Sequence, residues 1–137
     1  MAIEQAEIAI GHLKVLETQW RYIPQVAALE LRYLVDLADA LLAATDDPAE
    51  EVVRGRDSAR LVDHADFGAM RSVTQSLGLA IERLIEEAGG LLSNEGARTA
   101  ILEHARHQAR LERSWFAASG LSNTTDAPAL EALLAGK

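Results

Sequence analysis

The stretch "SNEGARTAILEHARHQARLERSWFAASG", residues 93–120, predicts a long amphipathic helix and therefore an all-α fold. Apolar residues recur every three or four positions on one side of this stretch, and charged residues fill the other side. Ser93 or Asn94 is suited to cap the start because its side chain accepts a backbone N–H, and Gly120 is suited to end the helix. The apolar side consists of Ala97, Ile101, Ala105, Leu111, Trp115 and Phe116.

The same helical period covers most of the 137-residue chain, and strand-like alternation persists nowhere. Pro24 lacks the N–H that a helix interior needs, so we expect it to end a first helix and to begin a second. Asp47 and Pro48 predict a further helix start, in the form of a short helix broken near Gly55. We expect four long helices, over residues 2–22, residues 24–44, residues 58 to the glycine pair at 89 and 90, and residues 94–120.

Four long helices with short connections predict an antiparallel four-helix bundle with a short additional C-terminal helix. We expect residues 1–121 to form the bundle and residues 122–137 to form a polar linker with a short docking helix. Leu130, Leu133 and Leu134 give that short helix one apolar side. Gly68 and Gly78 predict close helix contacts, because each glycine costs about 1 kcal/mol relative to alanine.

The composition excludes several function classes. The chain has a formal net charge of −8 and no cysteine, so disulfides, thiolate metal sites and cysteine nucleophiles are absent. No basic stripe is present, which argues against a nucleic-acid partner. The most apolar stretch, residues 26–44, carries charged residues, so we expect no membrane span. Glu4 and Glu7 replace the positive charge of a signal peptide, and we expect a cytoplasmic protein.

Five polar side chains fall on predicted apolar faces. They are His12, Glu30, Asp66, His104 and Glu112, while His107 lies at the border of its face. An inward charge costs several kcal/mol unless it is paired, so two interpretations are open. Either each group pairs locally, for instance His104 with Glu30, or the five line a polar pocket for a metal or a small ligand. Carboxylates and imidazole suit iron, manganese or zinc, and no particular cofactor is indicated.

One short motif resembles a known family. The segment "RTAILEH", from Arg98 to His104, is similar to the Arg-x(4–6)-His pattern of HEPN ribonucleases, and this resemblance implies a ribonuclease that uses these two residues. The Glu-x-x-His motif that ferritin-like carboxylate proteins place on two helices is missing.

Three functions follow, in order of preference. The first is a non-catalytic interaction protein that acts by self-association or as an assembly or adaptor subunit, so its partner is itself or another protein. No catalytic constellation is evident, and Trp115 and Phe116 widen the apolar side of the fourth helix. The second is a metal- or ligand-binding bundle, in one version an oxidoreductase, that uses the five inward groups. The third is the HEPN-type ribonuclease, so whether the protein is an enzyme stays open.

Overall fold

The computed structural model describes residues 2–87, 94–118 and 130–136, and these residues form five helices and no strand. The predicted all-α fold is confirmed, and so is the short additional C-terminal helix. None of the described helices combines the length and the apolarity that crossing a membrane requires. The helices are α1 (Ala2–Ala44), α2 (Glu50–Leu61), α3 (Phe67–Glu87), α4 (Glu95–Ala118) and α5 (Leu130–Leu134).

The chain divides into two compact units. The first, here called the bundle unit, is Ala27–Gln108, and the second, the terminal unit, combines Met1–Val26 with Ala109–Lys137. Helices α1 and α4 each contribute residues to both units. The boundary that we expected at residues 121–122 and the predicted linker lie outside the described residues.

The two helices predicted on either side of Pro24 are one continuous helix, so the predicted break is wrong. Proline removes a single intrahelical hydrogen bond and crowds the carbonyl four residues earlier, and a helix can pass it when its neighbours continue the ladder. The helix-forming sequence on both sides supplies that continuation. The boundary between the two units follows at Val26, two residues after the proline.

The next break in the chain also differs from the prediction. Helix α2 continues through Gly55 and Asp57 and ends at Leu61, and α3 begins only at Phe67. Helix α3 begins at Phe67 because Asp66 caps it: the Asp66 Oδ1 atom accepts the N–H of Ala69 at 2.9 Å. This bond satisfies a backbone donor that the first turn of a helix leaves unpaired.

The bundle unit has one continuous apolar core to which four helices contribute. Short connections join these helices, and each helix turns an apolar side inward. The buried cluster consists of Leu31, Leu37, Ala38 and Leu41 from α1, Val52 and Ala59 from α2, Met70, Leu77, Ala80, Ile81 and Leu84 from α3, and Ala97 and Ala100 from α4.

Contacts between α1 and α4 show that these helices run in opposite directions. The Nδ2 atom of Asn94, just before α4, donates to the carbonyl of Ala44 at the end of α1, at 2.6 Å. Further along α4, the ring of His107 stacks on Tyr33, with 4.8 Å between the centroids. Residue numbers therefore rise along one helix as they fall along the other.

Contacts of the same kind give the relative directions of α1, α2 and α3. Asp39 of α1 accepts hydrogen bonds from Arg56 at 3.2 Å and from Arg60 at 2.6 Å, across the short connection to α2. Glu51 of α2 pairs with Arg83 of α3. The contacts between α1 and α2 join residues at similar distances from the turn that connects these helices. Between α2 and α3, the Glu51–Arg83 pair and the close approach of Gly55 to Leu77 show that residue numbers rise along one helix as they fall along the other. Helices α1, α2 and α3 therefore alternate in direction. The predicted antiparallel four-helix arrangement is confirmed within the bundle unit.

The terminal unit buries apolar residues from its C-terminal segments. Leu111 of α4 and Leu130 and Leu133 of α5 are buried. The Tyr22 hydroxyl donates to the Glu131 carboxylate at 2.9 Å, and this bond raises the pKa of Tyr22. The backbone N–H of Glu131 itself, followed by the Tyr22 hydroxyl, lowers the pKa of Glu131.

The close helix contacts that we predicted at Gly68 and Gly78 are not found there but at other glycines. A Cβ atom on Gly68 or Gly78 would lie at ordinary contact distances, 3.6 Å and 3.9 Å from its nearest neighbour. A Cβ atom on Gly55 would lie 3.2 Å from the Leu77 Cδ1 atom and 3.3 Å from the Leu77 Cα atom. Because a backbone atom cannot move aside as a flexible side chain can, Gly55 sets how closely α2 and α3 approach.

We therefore predict opposite effects for two alanine substitutions. Gly55→Ala should lower the free energy of unfolding by about 1 kcal/mol, because overpacking costs about 1–3 kcal/mol and exceeds the gain in helix propensity. Gly78→Ala has room for its methyl group and should raise the free energy of unfolding by about 1 kcal/mol. Urea denaturation of both variants measures the difference, and a stabilised Gly55→Ala would contradict this account of the α2–α3 contact.

Candidate functional site

Three of the five predicted inward groups are exposed, so the prediction that they face the interior is wrong for His12, Asp66 and Glu112. His12 belongs to a stretch of α1, residues 2–14, in which every residue is exposed. Asp66 caps the start of α3 and does not lie inside a helix. Glu112 points away because Leu111 and Ser114, its neighbours on α4, occupy the buried side.

The other two groups, Glu30 and His104, are half-buried and lie in the bundle unit. The enclosed Nδ1 atom of His104 has no hydrogen-bond partner among the described residues. Burial lowers the pKa of His104. A hydrogen bond with the backbone of Tyr33 acts in the opposite direction, and the charge of the neighbouring His107 lowers the pKa further. His107, which we expected at the border of the apolar face, is also half-buried and is close enough to influence the pKa of His104.

The described residues contain no group of three histidine, aspartate or glutamate side chains that could hold one metal ion. The five residues that we considered as metal ligands are also divided between the units, with His12 and Glu112 in the terminal unit. Metal binding by these five residues stays a prediction.

The motif similar to that of HEPN ribonucleases lies entirely on α4. Arg98 is exposed and His104 is half-buried. Six residues on a helix correspond to a rotation of roughly 240°, so the two side chains leave the helix in different directions. The ribonuclease also stays a prediction.

A different surface stands out in the structure. Six large apolar side chains in the first half of α1 are more than half exposed, and Trp20 is 79% exposed. They are Ile3, Ile8, Ile10, Leu13, Leu16 and Trp20. Beside them lies an open groove of about 660 Å³, lined by Leu13, Leu16, Glu17, Trp20, Arg21 and Ile23. Exposed apolar surface of this extent is unusual in one helix and is typical of interaction sites in proteins generally.

The sequence contains a signal for this surface that the search for inward polar groups missed. Apolar residues follow one another at alternating steps of four and three, which is the heptad repeat of a coiled-coil seam. We call this set the heptad row. Its members are Ala2, Ala6, Ala9, Leu13, Leu16, Trp20 and Ile23. The repeat places all seven side chains along one side of α1, and six of them are exposed, Ile23 being half-buried.

The aromatic pair Trp115 and Phe116, which we expected to favour self-association, is partly covered. Trp115 is half-buried, and Phe116 is 47% exposed and engaged in a contact. The apolar surface of α4 is therefore less available than that of α1. The heptad row is the better candidate for a functional surface.

The half-buried His104 leads to a prediction about pH. Its lowered pKa means that the unfolded chain binds a proton more readily than the folded chain does, so folding stability falls as the pH drops through the ordinary histidine pKa of about 6.5. His104→Leu should be tolerated or mildly stabilising at neutral pH, because it removes a buried polar atom without a partner. It should also flatten the loss of stability between about pH 7 and pH 5.5.

The measurement is urea denaturation at several pH values. His64→Leu is the matched control, because His64 lies in the same unit but is exposed. The control should keep the pH dependence of the parent protein. If the pH dependence of stability is unchanged in His104→Leu, then proton binding by His104 does not differ between the folded and the unfolded chain.

Comparisons with known proteins add no functional information to this geometry. No protein-family model matches the chain, and neither does any curated protein or solved structure. The burial, contacts and charges of the chain's own residues are therefore the basis for inferring its function.

Proposed function

We propose that the protein is a non-catalytic interaction protein that associates with a second copy of itself through the heptad row of α1. The observation that supports this proposal is the exposure of Leu13, Leu16 and Trp20, three successive large members of the row. No other described helix carries large apolar side chains of comparable exposure in such a regular repeat.

The uncovered part of α1 needs a partner for thermodynamic reasons. An isolated helix shorter than about 12–15 residues is only marginally stable in water, and packing of an apolar side supplies most helix stability in proteins. Residues 2–14 are exposed on all sides, so the described chain does not provide that packing. Association would bury the apolar side and stabilise the helix at the same time.

A second copy carries the same repeat and fits the seam directly. Leu13, Leu16 and Trp20 are about two thirds exposed on average. Burying that remaining exposed surface in both copies would contribute roughly 6–12 kcal/mol. The cost of association is about 4–15 kcal/mol before side-chain ordering. The contribution exceeds the cost only when most of the row is buried at once, and a continuous heptad repeat allows this.

The charges near the row favour a protein partner over a lipid surface. Helices that lie on anionic membranes are rich in lysine and arginine on their polar side. Here Glu4, Glu7 and Glu17 outnumber Lys14 and Arg21. A segment with an acidic balance of this kind would be repelled by an anionic bilayer.

A second candidate function is a metal- or ligand-binding bundle. The observation that favours it is the enclosed and unpartnered Nδ1 atom of His104, next to His107. Metal analysis of the untagged protein tests this candidate, and bound stoichiometric iron, manganese or zinc would raise it above self-association.

We predict that Leu16→Asp abolishes self-association, because a charge in the middle of the seam would be buried without a partner. Light scattering at high micromolar concentration should give twice the chain mass for the parent protein and a single chain mass for the variant. Circular dichroism should show a loss of helix in the variant, since residues 2–23 lose their cover.

Leu102→Asp is the matched control. Leu102 is 51% exposed on α4, close to the 58% of Leu16, but it does not belong to the heptad row. This control should keep the mass of the parent protein. A parent protein that remains monomeric at high micromolar concentration would refute the proposal, as would a Leu16→Asp variant that associates normally.

A further inference from the structure

We propose that the two copies pair in antiparallel orientation, with Leu13 of each copy opposite Leu16 of the other. This inference rests on the proposed self-association and adds the direction and register of the partner helix. The observation that supports it is the gradient of side-chain size along the heptad row.

Side-chain size changes systematically along the row. Its first three members are the alanines at positions 2, 6 and 9, and its last four members are Leu13, Leu16, Trp20 and Ile23. All of the alanines are exposed, so none is occupied by packing in the described chain. One end of the seam is therefore thin, and the other end is bulky.

A parallel pair would match each position with itself. Alanine would then face alanine at the thin end and leave space between the helices, while Trp20 would face Trp20 at the bulky end. Protein interiors tolerate neither voids nor crowding well, because each loses contacts or forces strain. The row fits poorly to a parallel copy.

An antiparallel pair centred between Lys14 and Val15 removes this mismatch. In that register Ala9 faces Trp20, Ala6 faces Ile23, and Leu13 faces Leu16. A small residue then lies opposite a large one in the outer layers, and two leucines meet in the middle. This alternation of large and small residues across a seam is how helices pack to native density.

The chain offers two well-placed sites for spin labels. It contains no cysteine, so a single introduced cysteine is labelled uniquely. Glu4 and Gly11 are exposed, seven residues apart and on the side of α1 away from the heptad row. A Cβ atom at Gly11 would have no atom within 4 Å, so a label there displaces nothing in the described chain.

The experiment measures distances between labels in the full-length variants Glu4→Cys and Gly11→Cys by pulsed electron paramagnetic resonance. Antiparallel pairing in the proposed register separates the two copies of residue 4 by roughly 32 Å along the helix axis, and the two copies of residue 11 by roughly 10 Å. The expected result is a clearly longer distance for Glu4→Cys than for Gly11→Cys. Adding Leu16→Asp to either variant should remove the dipolar signal.

The alternative outcomes separate the two proposals. Equal distances at both sites would overturn the proposed antiparallel register while leaving self-association intact. A longer distance for Gly11→Cys than for Glu4→Cys would overturn the register. Monomeric mass with no dipolar signal in either variant would refute self-association itself, and with it this inference, and would leave the row to a different protein or to a lipid surface.

Discussion

The shared apolar core of the bundle unit is the interaction on which the rest of that unit depends. Leu41, Met70 and Leu77 are almost completely buried, and they come from α1 and α3. The ion pairs around them involve partly exposed side chains, and pairs that water screens in this way contribute little to stability. Apolar burial therefore stabilises the bundle unit, while the polar contacts at its rim fix the direction and register of the helices.

The burial of apolar side chains differs along the length of α1. In residues 27–44 the apolar side is covered by the other helices of the bundle unit, whereas in residues 2–20 large apolar side chains remain exposed. One segment of α1 thus has a buried apolar side, and another segment has an exposed one. Burial by a second copy would extend to the first half of α1 the principle that already holds the second half.

The fold class could be predicted because helical periodicity is a local property of the sequence. Helix ends were harder to predict. Pro24 removes one hydrogen bond but does not decide whether a helix stops, since neighbouring residues can continue the ladder. Asp66 could belong to a helix interior or to a cap, and that depends on where α3 begins. Only the folded chain, with the Oδ1 atom of Asp66 on the N–H of Ala69, distinguishes the two.

The candidate sites show a similar division. Periodicity identifies which side of a helix is apolar, but it does not reveal whether another segment covers that side. His12 was expected inside for this reason, although every residue from position 2 to position 14 is exposed. The partial burial of His104 followed from its place on the apolar side of α4. The alternating steps of the heptad row are visible in the sequence, whereas the exposure of Leu13, Leu16 and Trp20 is seen only in the folded chain.

Asn94 combines two functions in one side chain, and this has a consequence for chemical ageing of the protein. Its Oδ1 atom accepts the N–H of Ala97 at 3.0 Å, and its Nδ2 atom donates to the carbonyl of Ala44. Deamidation to aspartate would preserve the acceptor and even strengthen the cap through the helix dipole. It would also replace the donor by a negative oxygen facing the Ala44 carbonyl. Aspartate is ordinarily an equal substitute for asparagine at a helix start, but here the amide group itself joins the end of α1 to the beginning of α4.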